Sequence, residues 1–438
     1  MTTKIGPGMQ RSVSRRSLVT RAAKLAGATA LVSAVNSAFP SGVFAQATGP
    51  EVKKAILGYI ALMDAAPLII AKENGIFAKY GMPDIEVSKQ ASWGTTRDNL
   101  VLGGERNGID GAHILSPMPY LISTGKVTNN VPVPMYLLAR LNVDAQAISV
   151  AEEYKSLKVT MDSSPLKAAF AVKRAKGEAV NIAVTFPGGT HDLWMRYWLA
   201  AGGIDPDKDV SMIVVPPPQM VANMKVGNTE AFCVGEPWNH QLVNQKIGYS
   251  ALMTGELWKN HPEKALSMRA EWVDKYPKAA KAILMAVMEA QQWADKNREG
   301  LAEIVSRRQW FNVPVADIKD RAVGLIDYGD GRVVKDSTQY MKYWNENASY
   351  PFKSHDTWFL TEDMRWGYFE PTLDIKALVN KVNREDLWRE AAVALNVAKD
   401  QIPTSTSRGK ETWFDGKVFD PEDPMAYLKS LAIKKVAV

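Results

Sequence analysis

Apolar and polar positions follow two rhythms along this chain. Residues 55–60 form an unbroken apolar run of strand length. Residues 67–80 follow with helical spacing, Pro67 suiting the first helical position and Gly81 the stop. Residues 85–87 predict a second strand, 95–102 a helix capped by Thr95, and 109–114 a third strand. Ser116-Pro117 opens another helix that Gly125 ends, and 133–141 reads as a fourth strand. A second set starts with a strand over 180–186 and an apolar helix over 192–201, ended by Gly202-Gly203. Strands over 210–215, 231–234 and 250–253 then alternate with helices over 219–225 and 239–246. Residues 277–297 predict a long Ala/Met/Ile-rich helix behind Pro277. Past about residue 325 the pattern is less regular and rich in Trp, Tyr and charge, with no repeat of fixed period.

Alternating strands and helices imply parallel sheets with helices on both faces, and two such sets imply two lobes. In such sheets ligands bind where strand C-termini meet helix N-termini. Two lobes meeting at those edges would enclose a cleft, an architecture that a receptor and a two-domain enzyme can share. Three strand-to-helix junctions carry candidate chemistry. Gly188-Gly189-Thr190-His191 lets backbone approach a ligand at a helix N-terminus, where His191 either donates to an anion or packs at the lobe edge. Trp93-Gly94-Thr95-Thr96 offers an indole N–H and an apolar wall, or an ordinary core tryptophan. In Gly235-Glu236-Pro237-Trp238, Gly235 either presents a bare backbone N–H or turns the chain.

Charge changes the picture only at the N-terminus. Residues 1–47 hold six basic residues and no Asp or Glu, then a weakly apolar stretch, then Ala45-Gln46-Ala47. That is the layout of a cleavable export signal, and Ser14-Arg15-Arg16-Ser17-Leu18 resembles the twin-arginine type, with a plain Sec signal carrying two adjacent arginines as the alternative. Those six residues account for the whole excess of 53 basic over 47 acidic residues, so the mature chain is formally neutral and nucleic-acid binding is not expected. No later run is apolar enough for a membrane helix. The single cysteine, Cys233, reads as a buried strand residue. The five histidines (His113, His191, His240, His261, His355) are scattered. No nucleophile elbow, Walker loop or zinc-protease motif occurs, so no catalytic residue, metal site or cofactor is expected.

Longer strings carry more. They include residues 66–73 (APLIIAKE), 89–99 (KQASWGTTRDN), 185–194 (TFPGGTHDLW), 194–206 (WMRYWLAAGGIDP), 258–264 (WKNHPEK) and 350–356 (YPFKSHD). Through these strings the chain resembles the nitrate- and bicarbonate-binding receptors of ABC importers over nearly the whole mature length. The resemblance implies an α/β, two-lobed, periplasmic-binding-protein-like (type II) architecture. Each lobe would be a mostly parallel sheet flanked by helices, with the ligand between lobes. Residues 1–47 are the export signal, 48–150 the first part of lobe one, and 151–255 lobe two. Residues 256–438 complete lobe one with a helical and irregular C-terminal segment. The resemblance implies a pocket of Trp93, Gln146, His191, Gly235 and Lys264, with Lys259 the other lysine in the same stretch. The partners implied are nitrate or nitrite and a membrane permease.

Nitrate is a planar monoanion with three acceptor oxygens and no donor, so a site of donors alone suits it. Bicarbonate adds an O–H and needs an acceptor, which the related receptors are expected to supply as a carboxylate with bound calcium. A lysine at 264 favours the bare anion, whereas a carboxylate there, such as the adjacent Glu263, would reverse the preference. A cytoplasmic nitrate sensor would lack the export signal. A pyrimidine synthase of thiamine pathways would need a cofactor pocket or a reactive histidine with partners.

Overall fold

The computed structural model describes residues 49–437. The expected export signal and the cleavage point near residue 48 lie outside the described residues. Ten strands build two five-stranded sheets. The first contains β1 (Lys54–Tyr59), β2 (Asp84–Lys89), β3 (Gly111–Leu115), β4 (Met135–Arg140) and β10 (Lys264–Arg269), in the order β2-β1-β3-β10-β4. The second contains β5 (Gln146–Ala151), β6 (Asn181–Val184), β7 (Ser211–Val214), β8 (Ala231–Gly235) and β9 (Gly248–Met253), in the order β7-β6-β8-β5-β9.

The two sheets share one plan. β1 runs parallel to β2 and β3, and β6 runs parallel to β7 and β8. β10 runs antiparallel to β3 and β4, and β5 antiparallel to β8 and β9. The reversed strand in each sheet is the one arriving from the other lobe: β5 follows β4, and β10 follows β9. A reversed strand starts at the edge where its parallel neighbours end. Lys264, first in β10, therefore pairs with Leu115, last in β3, and Gln146, first in β5, pairs with Gly235, last in β8. The crossings thus deliver their first residues to the ligand-binding edge.

The alternating pattern gave most of these elements to within a few residues, and the differences have local causes. The helix expected over 67–80 is two, Ala66–Glu73 and Ile76–Lys79, because Gly75 between them adopts φ 67°. The helix expected to be capped by Thr95 begins at Trp93, and the cap is Ser92, whose hydroxyl accepts from the Thr95 backbone N–H at 3.1 Å. β5, β10 and the helix Pro165–Ala175 had no counterpart in the pattern. β5 and β10 lie inside their sheets and are buried on nearly every residue, so neither shows polar alternation.

The irregular C-terminal third contains helices at Lys353–Arg365, Ile375–Val382, Glu385–Ala394 and Pro424–Ser430. It docks through aromatic rings. Trp358 stacks on Trp194 at 5.0 Å and on Trp413 at 4.5 Å, and Trp258 packs against both. Among the described residues no helix is long and apolar enough to cross a membrane.

Candidate anion-binding site

All five residues implied by the resemblance come together between the sheets. Trp93 opens the helix Trp93–Leu102, His191 is second in the helix Thr190–Ala201, Gln146 and Lys264 open β5 and β10, and Gly235 closes β8. Trp93, Gln146, His191 and Lys264 are each fully buried. The His191 Nε2 lies 3.0 Å from Gln146 Oε1 and 3.3 Å from Lys264 Nζ, so a lobe-two imidazole touches a lobe-one ammonium. The Lys264 ammonium sits 5.9 Å from the centre of the Trp93 ring, and the Trp93 indole N–H has no hydrogen-bond partner. Gly235 permits close approach. A Cβ there would meet Gln146 Oε1 at 2.5 Å and Asp64 Oδ2 at 3.1 Å. Lys259, the alternative lysine, is exposed.

Other groups hold these five, and of them the sequence had singled out only Glu263. Lys264 Nζ donates to Glu263 Oε1 at 2.8 Å and forms an ion pair with Asp64 Oδ2 at 3.0 Å. Asp64 Oδ1 is joined to His113 Nε2 at 2.5 Å, and the His113 ring packs against Trp93 at 5.1 Å. Glu263 also accepts from the Trp194 indole at 2.7 Å and from the Thr190 hydroxyl. One signal was available. Residues 60–65 span the first strand-to-helix junction, and the logic that picked out Trp93 and His191 applies equally to Asp64.

Burial opposes every charge here, and pairing decides the outcome. For Lys264, burial disfavours the ammonium, but Asp64 and Glu263 outweigh it and raise its pKa. For Asp64, burial is outweighed by Lys264 and then His113, so its carboxyl ionises well below the usual range. Glu263 is lowered too, against burial, chiefly by Lys264. His191 is lowered to about 3 by burial and then by the Lys264 ammonium. The His113 pKa also falls, through burial that the Asp64 carboxylate only partly offsets. Beyond these ion pairs the site offers donors: the Trp93 indole, which has no partner, the Gln146 amide, the His191 ring, and the Lys264 ammonium, whose third N–H faces His191 Nε2 at 3.3 Å.

The lobes touch elsewhere around this point. The Met63 N–H donates to the Glu236 carbonyl at 2.8 Å, and the Trp238 indole to the Ala61 carbonyl at 3.1 Å. A surface cavity of about 400 Å³ lies at the far end of β10 around Arg269, away from this chemistry.

Two α/β lobes, linked by two crossing strands and meeting over a buried donor cluster, define a two-lobed binding-protein fold of the periplasmic type. The chain belongs to the NMT1-like family, which it matches over residues 48–307. It is 64% identical over 390 residues to the nitrate/nitrite binding protein NrtA of Synechocystis sp., spanning 88% of this chain and 86% of that one. It is 44% identical over 402 residues to the bicarbonate-binding protein CmpA of Synechococcus elongatus, spanning 89% of each. The crystal structure of the periplasmic nitrate-binding protein NrtA from Synechocystis superposes with a TM-score of 0.86, covering 88% of this chain and all of that one.

Proposed function

We propose that this chain is the extracytoplasmic solute-binding protein of an ABC importer, a binding protein and not an enzyme. It takes nitrate, with nitrite as a second ligand, and hands the anion to a membrane permease. Its ligand-binding residues in this reading are Trp93, Gln146, His191, Gly235 and Lys264. Its export to the periplasm uses the twin-arginine-type signal over residues 1–47, and its lobes divide at the two crossing strands.

The observation that carries the reading is the Lys264 ammonium, buried among donors whose nearby acceptors are already engaged. Glu263 is hydrogen-bonded by Lys264, Thr190 and Trp194 and Asp64 Oδ1 by His113, while Asp64 Oδ2 has no hydrogen bond and is held by its ion pair with Lys264. An oxyanion with no hydrogen of its own asks only for donors. Bicarbonate would need one of those carboxylates back. Identity of 64% to a nitrate/nitrite-binding relative, against 44% to a bicarbonate-binding one, supports the same choice.

Calorimetry of the mature protein with nitrate, nitrite and bicarbonate, each with and without calcium, tests it. Nitrate and nitrite should bind without calcium, and bicarbonate at least tenfold more weakly, which is about 1.4 kcal/mol. Calcium-dependent bicarbonate binding with no nitrate binding would replace this reading with that of a bicarbonate receptor.

A further inference from the structure

The buried cluster holds an unusual balance of charge for a site that receives an anion. Asp64 and Glu263 are carboxylates and Lys264 is the ammonium they share. Neighbouring buried ions pair among themselves: Asp144 with Lys342 at 3.1 Å, Arg140 with Asp356, and Asp192 with Arg196 at 2.9 Å. Counted with uncharged imidazoles, the cluster has one more carboxylate than cation. A monoanion arriving beside Lys264 makes the excess two. Unpaired charge shut away from water is costly, and such sites respond by changing protonation instead.

Three imidazoles border the cluster, and their hydrogen bonds separate them. His113 Nε2 faces the Asp64 carboxylate, while its Nδ1 faces the Ile60 backbone N–H at 3.5 Å, which can only donate. A second ring proton on His113 would oppose that N–H. His261 lies behind Glu263, with Nδ1 3.1 Å from the Pro262 carbonyl and Nε2 2.7 Å from the Thr254 hydroxyl, so it does not face Gln146 or Lys264. His191 shares with His261 a threonine hydroxyl partner but differs from both in facing Gln146 and Lys264. Its Nδ1 lies 2.7 Å from the Thr185 hydroxyl, which donates to a bare nitrogen and accepts from a protonated one by rotating. Its Nε2 points at Gln146 and Lys264. The charged groups around His191 are Lys264, which opens β10, Glu263 just before it, with Oε1 3.6 Å away, and Asp64 beyond β1; the His261 ring, farther off, also disfavours a proton there. Only Lys264 opposes a proton there among these three, and an anion beside it offsets that opposition.

We propose that the anion enters this pocket together with one proton, and that His191 holds it. The inference rests on reading the pocket as an anion site. The proton comes from solvent and adds to the ring nitrogen that is bare in the neutral imidazole, leaving an imidazolium that donates at both nitrogens. Thr185 Oγ1 accepts one of those bonds, and the anion with Gln146 takes the other. Burial and Lys264 keep His191 neutral beforehand, so the charge appears only when its counter-ion does.

Nitrate calorimetry on the mature protein in phosphate and in Tris, which differ in ionisation heat, counts the protons taken up. Between about pH 6 and pH 8 the uptake should approach one proton per nitrate, and affinity should fall by up to about tenfold per pH unit as pH rises. The imidazole nitrogen chemical shifts of His191, followed by NMR in the wild type, should move to imidazolium values on nitrate addition. His191→Asn keeps an N–H donor but cannot ionise, so its weaker binding should show no proton uptake and no pH slope. Nitrate binding with equal heats in both buffers and flat affinity overturns the coupling while leaving the anion site standing. Uptake that persists in His191→Asn overturns the assignment to His191. Absence of any nitrate binding removes both the proposal and the reading beneath it.

Discussion

At the scale of single residues, the proposed function rests on Lys264. It is fully buried between two carboxylates, so replacing it leaves both uncompensated. A charge at 4 Å is worth roughly 4 kcal/mol at an effective dielectric of 20. Lys264→Glu reverses that sign toward the ligand, and nitrate binding should vanish in a fluorescence or calorimetric titration. Lys259→Glu changes an exposed side chain and should stay within about 0.5 kcal/mol of wild type. If the two variants exchange these outcomes, the pocket lysine has been misassigned. Trp93 and His191 were legible in the sequence because glycines and helix starts advertise a strand-to-helix junction. Gln146 and Lys264 have no such neighbours and were reached only through the resemblance. Asp64 and His113 were not reached, since nothing local tells a buried carboxylate from a solvated one.

At the scale of elements, the βα units were legible because each hides one face and keeps a breaker at its end. The reversed strands were not. β5 and β10 break the alternation, and their partners lie 80 or more positions away for β8 and about 150 for β3. Yet these strands place the chemistry. The register of β5 on β8 sets Gln146 opposite Gly235, and the missing side chain at 235 lets Gln146, Asp64 and Leu62 close in on the backbone there. Gly235→Ala places its methyl against Gln146 Oε1 and Asp64 Oδ2, which should weaken nitrate binding more than about tenfold while circular dichroism stays native. Binding at wild-type strength in this variant would show that the anion lies away from the end of β8.

At the scale of the whole molecule, the lobes meet through His191 and Lys264, Met63 and Glu236, and Ala61 and Trp238. A ligand that contacts both lobes favours whichever arrangement brings them together. Small-angle X-ray scattering of the mature protein should therefore show a smaller radius of gyration with saturating nitrate than without. An unchanged radius would mean a receptor closed in both states. The two-lobed plan was legible because alternating units came in two sets. The docking of the C-terminal third was not, because its tryptophans carry no period that names their partners. The plan also sets an order in time. All five strands of the second sheet lie within residues 146–253, so that sheet is complete once the ribosome has released residue 253. The first sheet then still lacks β10, which belongs between β3 and β4, and both strands keep an unpaired edge until residue 269 emerges. The inner sheet can thus be complete while the outer one waits, and Lys264 is among the last residues of the outer sheet to be made.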